Sequence, residues 1–398
     1  MKTIKGLKII TIICFLIVVV EVFYVVRHLT DNNTESIYFD GINSVVLSDN
    51  YYVTVGSNNN NDNKYEKAKI SKYNNSKEKT FEKLYSIGYN SAFFGVCTDG
   101  DNVVAVGSYE KSSKDHENLI RKALITKYDK DGEIEFSKDF KLLDNSKFTG
   151  IVKYEDFYYV VGQSIYKNTK VGDDAGGAIL VKYDLNGNLI WSKNYGSNKT
   201  AIYNDLLIYD GYIYTVGMND NYLGIICKYD LDGNLINDNT YDTTDDIGFS
   251  GIINLDEKIF VSSSKRNNDL TSAMIIEYDT DCDYVNEAVY NSEGNTRYNK
   301  LIVDNDNNII AIGIKTTNKK DNSKTADVLN YDGLIGKYKS DLSEVSVVVY
   351  GDERDDYFTD ITLDNNNYLV VGYSSYEDGS YLSKFIRYSD ALKVLGVE

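Results

Sequence analysis

The stretch Tyr203–Tyr241 decides the fold: YNDLLIYDGYIYTVG at 203–217, then LGIICKYDLDGNLINDNTY at 223–241. It holds four short runs rich in aromatic and β-branched residues. Asp210-Gly211 separates the first two runs, and Asp230 to Asn234 separates the last two. Such runs, bounded by Asp/Asn/Gly clusters, read as four strands joined by hairpins. The second run, YIYTVG, is an apolar run that ends in Gly217.

The same pattern recurs along the chain with three landmarks in fixed order. The residue opening the first strand is Ile42, Phe93, Phe148, Tyr203, Phe249, Tyr298 and Phe358. The residue closing the second is Gly56, Gly107, Gly162, Gly217, Ser263, Gly313 and Gly372, and the Tyr closing the third is Tyr73, Tyr128, Tyr183, Tyr229, Tyr278, Tyr338 and Tyr388. Seven tandem four-stranded units predict an all-β seven-bladed propeller over 37–398. The last unit supplies its own fourth strand from Ala391 onward, with Ile37 to Asp40 as another candidate to pair there.

The runs DLLIYDGYIYTVG and IICKYDLDGNLI, with AILVKYDLNGNLIWSKNYG at 178–196, resemble the bacterial SBBP-type β-propeller repeats over everything from Ile42 onward. The resemblance implies a fold and leaves function open, because propellers host enzymes, lectins and scaffolds alike. Ser263, Lys339 and Ser389 depart from the repeat, which puts individual turns in doubt and not the architecture.

Ahead of the repeats, Ile9 to Val26 reads IITIICFLIVVVEVFYVV. As a helix it would extend about 27 Å, close to a bilayer's hydrocarbon core. Lys2, Lys5 and Lys8 precede it, so the charge bias places residues 1–8 in the cytoplasm and the remainder outside. No A-x-A-like site follows Val20, which favours an uncleaved signal-anchor over a removed signal peptide. The expected organisation is a transmembrane helix at 9–26, a linker at 27–36, and a monomeric propeller on the outer side of the cell membrane.

Composition narrows the chemistry. The 398 residues carry a formal net charge of −18 with no proline, which argues against nucleic acid as a ligand. Two histidines and four scattered cysteines exclude a histidine metal cluster and a disulfide framework, and no cofactor is expected. The Asp-rich turns at 129–133, 230–234, 279–283 and 304–308 lack the sixth-position Gly and twelfth-position Glu of a calcium loop and read as hairpin turns. Trp191 occurs in a single copy, so the tryptophan lock of quinoprotein propellers is missing. On the inner strands, Asp205, Asp360 and Lys300 replace the small residues Ser44, Gly95, Gly150 and Gly251. Two carboxylates and an amine facing a channel could bind or hydrolyse a sugar, but small residues where the blades converge, with a few polar ones facing channel water, account for the pattern more simply. Within-hairpin turns make one face strongly acidic. The opposite face carries long loops, 109–122 and 314–330, with Lys114, Arg121, Lys122, Lys319, Lys320 and Lys324 as candidate contacts. The expectation is a membrane-anchored binding module for a protein or cell-wall polymer, with a surface glycosidase or lyase as the alternative.

Overall fold

A computed structural model describes residues 39–48, 51–59, 65–74, 76, 78–112, 119–140, 145–167, 174–196, 201–241, 247–267, 270–319, 328–351, 354–376 and 380–397. The membrane-spanning segment expected at 9–26 lies outside these residues. Among those described, no helix is long and apolar enough to cross a membrane.

Seven antiparallel four-stranded sheets occupy 39–85, 91–139, 146–195, 202–240, 251–290, 296–350 and 356–397, each in simple meander order. Each inner strand lies against those of the preceding and following blades, and the last lies against the first, so the ring is closed. The three inner strands of a blade are sandwiched between neighbours. The outer strand is wet on one face and alternates, as in Lys79–Tyr85.

Apolar packing sits between the blades. Seven buried clusters span seven junctions, as where Val104, Val106 and Ile125 of blade 2 meet Phe148, Val160 and Val181 of blade 3. The sequence landmarks take their places in this packing. The opening aromatic meets the closing Tyr of its own blade edge-on, as in Phe93 with Tyr128 and Phe249 with Tyr278. Tyr203 and Tyr229 also share a hydroxyl hydrogen bond of 2.5 Å, and Tyr298 and Tyr338 one of 2.7 Å.

The landmark glycine follows from a bulge. In six blades the inner strand carries one extra residue just after its opening landmark, which drives a backbone carbonyl against the second strand. A Cβ at Gly217 would lie 1.9 Å from the Ile202 oxygen. Blade 5 explains Ser263. Its inner strand begins only at Gly251, beyond Phe249 where the sequence pattern opens it, and the Ser263 hydroxyl donates to the Gly248 carbonyl at 3.0 Å.

A second rule governs the turns between third and outer strands. Their fourth residue has positive φ and is Gly132, Gly187 or Gly233 in blades 2 to 4, but Cys282, Leu342 or Leu392 in blades 5 to 7. Over the glycines lie the rings of Phe81, Phe136 and Trp191, each from the outer strand of the preceding blade. At the equivalent register the later blades offer Asn237, Asn286 and Ser346, and the turn's own side chain is buried instead. Large over small and small over large fill the same space.

Among the described residues, ring closure involves no exchange of strands. Val394–Val397 pairs with the third strand of its own blade, and Phe39 makes one parallel bridge to Tyr381. The cluster at this junction is the smallest, with Ile42, Val45 and Tyr52 against Leu369 and Val371. Polar bonds supplement it: Lys69, paired with Asp40 of its own blade, reaches Ser383 of blade 7 across the seam.

Candidate channel-mouth site

Seven inner strands surround the axis, and small residues let them converge. A Cβ at Gly95 would come within 3.2 Å of the Gly150 Cα, and one at Gly251 within 3.0 Å of the Lys300 Cα. In five blades the bulged residue of the inner strand reaches sideways to the next blade. Asn43 donates to the Phe93 carbonyl at 2.8 Å, Thr149 to Tyr203 at 2.7 Å, Asn204 to Phe249 at 2.6 Å, Asn299 to Phe358 at 3.4 Å, and Thr359 to Ile42 at 2.7 Å. Five junctions are thus stitched the same way, including the closing one. The sequence signal was a polar residue immediately after the opening landmark, interrupted only by Phe94; Ser250 keeps it, but the inner strand of blade 5 begins only at Gly251 and has no bulge there.

The three channel candidates come together here. Lys300 of blade 6 extends past blade 5 to place Nζ 2.6 Å from Asp205 Oδ2 of blade 4. Asp205 also accepts the amide of Leu206 at 3.0 Å and that of Ile252, in blade 5, at 3.3 Å. Asp360 repeats this arrangement across the closing junction. Its Oδ1 accepts its neighbour Ile361 N–H at 2.9 Å, while Oδ2 accepts Val45 N–H at 2.9 Å and the Ser44 hydroxyl at 2.7 Å. Each carboxylate therefore bonds the amide following it and the corresponding amide of the next blade.

Burial pushes the Asp360 carboxyl above the usual carboxylate range, against the opposing pull of Lys300 and three donors. Burial acts to lower the Lys300 ammonium, but Asp205 and Asp360 outweigh it and hold the group above its ordinary value. Lys300 is a firmly charged cation.

The sequence did not single out Arg297, one residue before the Tyr298 landmark. Its Nη2 donates to the Ser250 hydroxyl of blade 5 at 2.5 Å, and its Nε is cut off from solvent with no acceptor.

The loop candidates fare differently. Arg121 and Lys122 are not in a loop: the hairpin of blade 2 continues to the pair Ser112–Leu119, so both lie in the strand Leu119–Tyr128. Alternation turns Lys122 inward, where it is buried, and brings Arg121 to 3.7 Å from Glu110. The expected loop at 314–330 is likewise shortened, because strand pairing continues to Lys319 opposite Val328. Lys319 ends the strand Ile309–Lys319, and Lys114, Lys320 and Lys324 lie outside the described residues.

On the acidic face the Asp-rich segments are hairpin turns. Asp129, Asp184, Asp230, Asp279 and Asp304 each use Oδ1 to accept the amides two and four residues on. Where Asp is replaced, the turns find other caps: Asp341 takes the Ser343 amide, and the Ser389 hydroxyl takes that of Lys393.

No family model and no curated protein matches the chain. Among solved structures it is similar to the WD40 propeller domain of Doa1, at 10% identity over 89% of this chain and 94% of that one, with a TM-score of 0.52. Hydrazine synthase of Kuenenia stuttgartiensis gives 9% identity, 89% and 97% coverage, and 0.53. The propeller domain of the Trilobed protease from Pyrococcus furiosus, described as having an open velcro topology, gives 10%, 89% and 94%, and 0.50. The class is the β-propeller, and likeness at this level of identity extends to the fold alone.

Proposed function

We propose that this chain is a membrane-anchored extracytoplasmic propeller of SBBP-type repeats that acts as a binding module for a protein or cell-wall polymer. The supporting observation is how the channel carboxylates are engaged. Asp205 holds Lys300 and two backbone amides, and Asp360 holds two amides and a hydroxyl. A general acid or base needs a proton site within reach of substrate. Here the lone pairs are committed to joining blades 4 and 5, and blades 7 and 1. Propellers of similar fold include a WD40 domain and parts of enzymes, so fold likeness does not choose between binding and catalysis. The anchor rests on the apolar run at 9–26 and its preceding lysines.

The test uses the full chain in detergent. Cross-linked complexes from solubilised membranes and retention on insoluble cell wall are measured alongside release of soluble sugar or peptide from that wall. The module reading expects a reproducible complex or retention without product. Product release that disappears in both Asp205→Asn and Asp360→Asn, with folding intact, would establish the enzyme instead.

A further inference from the structure

A strand at the rim of a sheet presents a row of unpaired N–H and C=O groups, and folded proteins guard such a row with charge, brevity or a covering segment. Six of the seven blades do so here. A charged residue stands inside the outer strand of blade 1 at Lys83, blade 2 at Lys138, blade 3 at Lys193, blade 4 at Asp238 and blade 5 at Glu287. Blade 7 ends in a strand of only four residues, Val394–Val397. Blade 6 has neither protection. Its outer strand Glu344–Tyr350 reads EVSVVVY, seven residues whose one charge is at the first position. Among the described residues it pairs only with Val328–Tyr338 on its inner side, which leaves its outer backbone edge open. Val345 and Val349 are 49% and 38% exposed.

The strand is fixed by packing on both flanks. Val347 joins the cluster between blades 5 and 6, while Val348 and Tyr350 join that between blades 6 and 7. A β-branched, uncharged edge already held in place loses little entropy when a further strand adds to it.

We propose that blade 6 is a dimerisation edge, where Glu344–Tyr350 pairs antiparallel with the same strand of a second copy about a two-fold axis at Val347 and joins the two blades into one sheet. The charge pattern selects this occupant. In that register Val345 faces Val349, Ser346 faces Val348 and Glu344 faces Tyr350, so no charge meets a like charge. The two Glu344 carboxylates stand at opposite ends of the ladder, about 20 Å apart at roughly 3.4 Å per residue, beyond the ~8 Å screening length of physiological salt. The same symmetric pairing on blade 5, Tyr284–Tyr290, would set its middle residue Glu287 opposite itself. The two-fold axis runs along the rim, and blade 1 lies two blades round the ring from blade 6, near a quarter turn. Both copies therefore begin their first blade on the same side, as two anchors in one membrane require. The dimer replaces the monomer expected from the sequence. It goes beyond the proposed binding role, which holds for one copy or two.

The experiment measures the mass of the full chain in detergent by light scattering over a dilution series, with the detergent's share subtracted. Wild type passes from monomer to dimer as concentration rises, and the dimer tightens with added salt because two acidic chains repel one another. Val345→Lys lies at an exposed position and leaves the melting temperature unchanged. It brings two ammonium groups into each dimer edge and weakens association about tenfold or more. Adding Val349→Glu restores the dimer, because each new ammonium then faces a new carboxylate of the second copy. A monomer at every concentration would overturn the proposal, as would a dimer indifferent to Val345→Lys or weakened further by the second change. Growth into longer assemblies would overturn the two-fold contact, which closes at two copies. A chain that stays monomeric while a valine-rich peptide shifts the amides of 345–349 would assign the edge to a partner's strand and overturn the dimer.

Discussion

Replacing Gly187 by leucine should destabilise the propeller by about 2–5 kcal/mol, and replacing Phe136 by asparagine at the same time should return part of that loss. The number follows from the turn of blade 3. Gly187 has φ of 70°, and a Cβ there would lie 2.6, 2.8 and 2.9 Å from three atoms of the Phe136 ring. The ring must retreat by most of an ångström. Forced overpacking of that kind costs about 1–3 kcal/mol, and left-handed backbone at a non-glycine residue adds on the order of 1–2 kcal/mol. The backbone strain is tolerable, since Leu342 at 66° and Leu392 at 56° already carry it. Phe136→Asn with Gly187→Leu recreates the Asn286 and Leu342 pairing found between blades 5 and 6. Denaturant unfolding of wild type, both single variants and the double variant gives the coupling energy from midpoints at unchanged slope. A favourable coupling of about 1–3 kcal/mol is expected. Additivity within about 0.5 kcal/mol would refute the size-exchange argument.

Gly217→Ala should cost about 3 kcal/mol or more, because its methyl would meet the Ile202 carbonyl at 1.9 Å, whereas Ser263→Gly should cost about 1 kcal/mol, the single bond to Gly248; thermal melts compare them. At Asp304 burial raises the carboxyl, but Asn308, Lys337 and Tyr368 outweigh it and hold it below the usual carboxylate range. Its contribution is therefore complete above the unfolded value near ~4 and lost as pH falls through the lower folded value, so Asp304→Asn should be about 3 kcal/mol less stable at pH 7 and approach wild type near pH 2 in urea titrations. Trp191, the sole tryptophan, packs between blades 3 and 4 against Gly233 and Tyr159. Its fluorescence midpoint should coincide with that of far-UV circular dichroism, and separated midpoints would mean that blades unfold independently.

The fold was legible because each sequence landmark answers to one physical demand. The glycine marks a carbonyl driven inward by a bulge, the opening aromatic and closing Tyr mark an edge-on pair, and Asp marks a turn carboxylate that accepts two amides. Asp205, Lys300 and Asp360 stood out for the same reason, as large polar residues where the phase demands small ones. What escaped notice depends on contacts between blades, which no repeat-by-repeat alignment displays. Asn43, Thr149, Asn204, Asn299 and Thr359 look like ordinary surface polar residues until the next blade's carbonyl is seen. Arg297 is conspicuous only once Ser250 proves to be its one partner. Arg121 and Lys122 were misplaced because the hairpin of blade 2 runs beyond its landmark glycine, where polar residues hid the continuing strand.

Among the described residues the ring is closed by packing, side-chain bonds and one backbone bridge, without an exchanged strand. The amides of Val45 and Ile252 test this most directly. They occupy equivalent places in blades 1 and 5, and each is bonded to a carboxylate of the preceding blade, Asp360 and Asp205. Native-state hydrogen exchange should show both opening only with global unfolding, and Asp360→Asn should accelerate Val45 alone. Rapid exchange at Val45 in the wild type, with Ile252 still protected, would mean that the junction between the last and first blades is open and would contradict the closed ring.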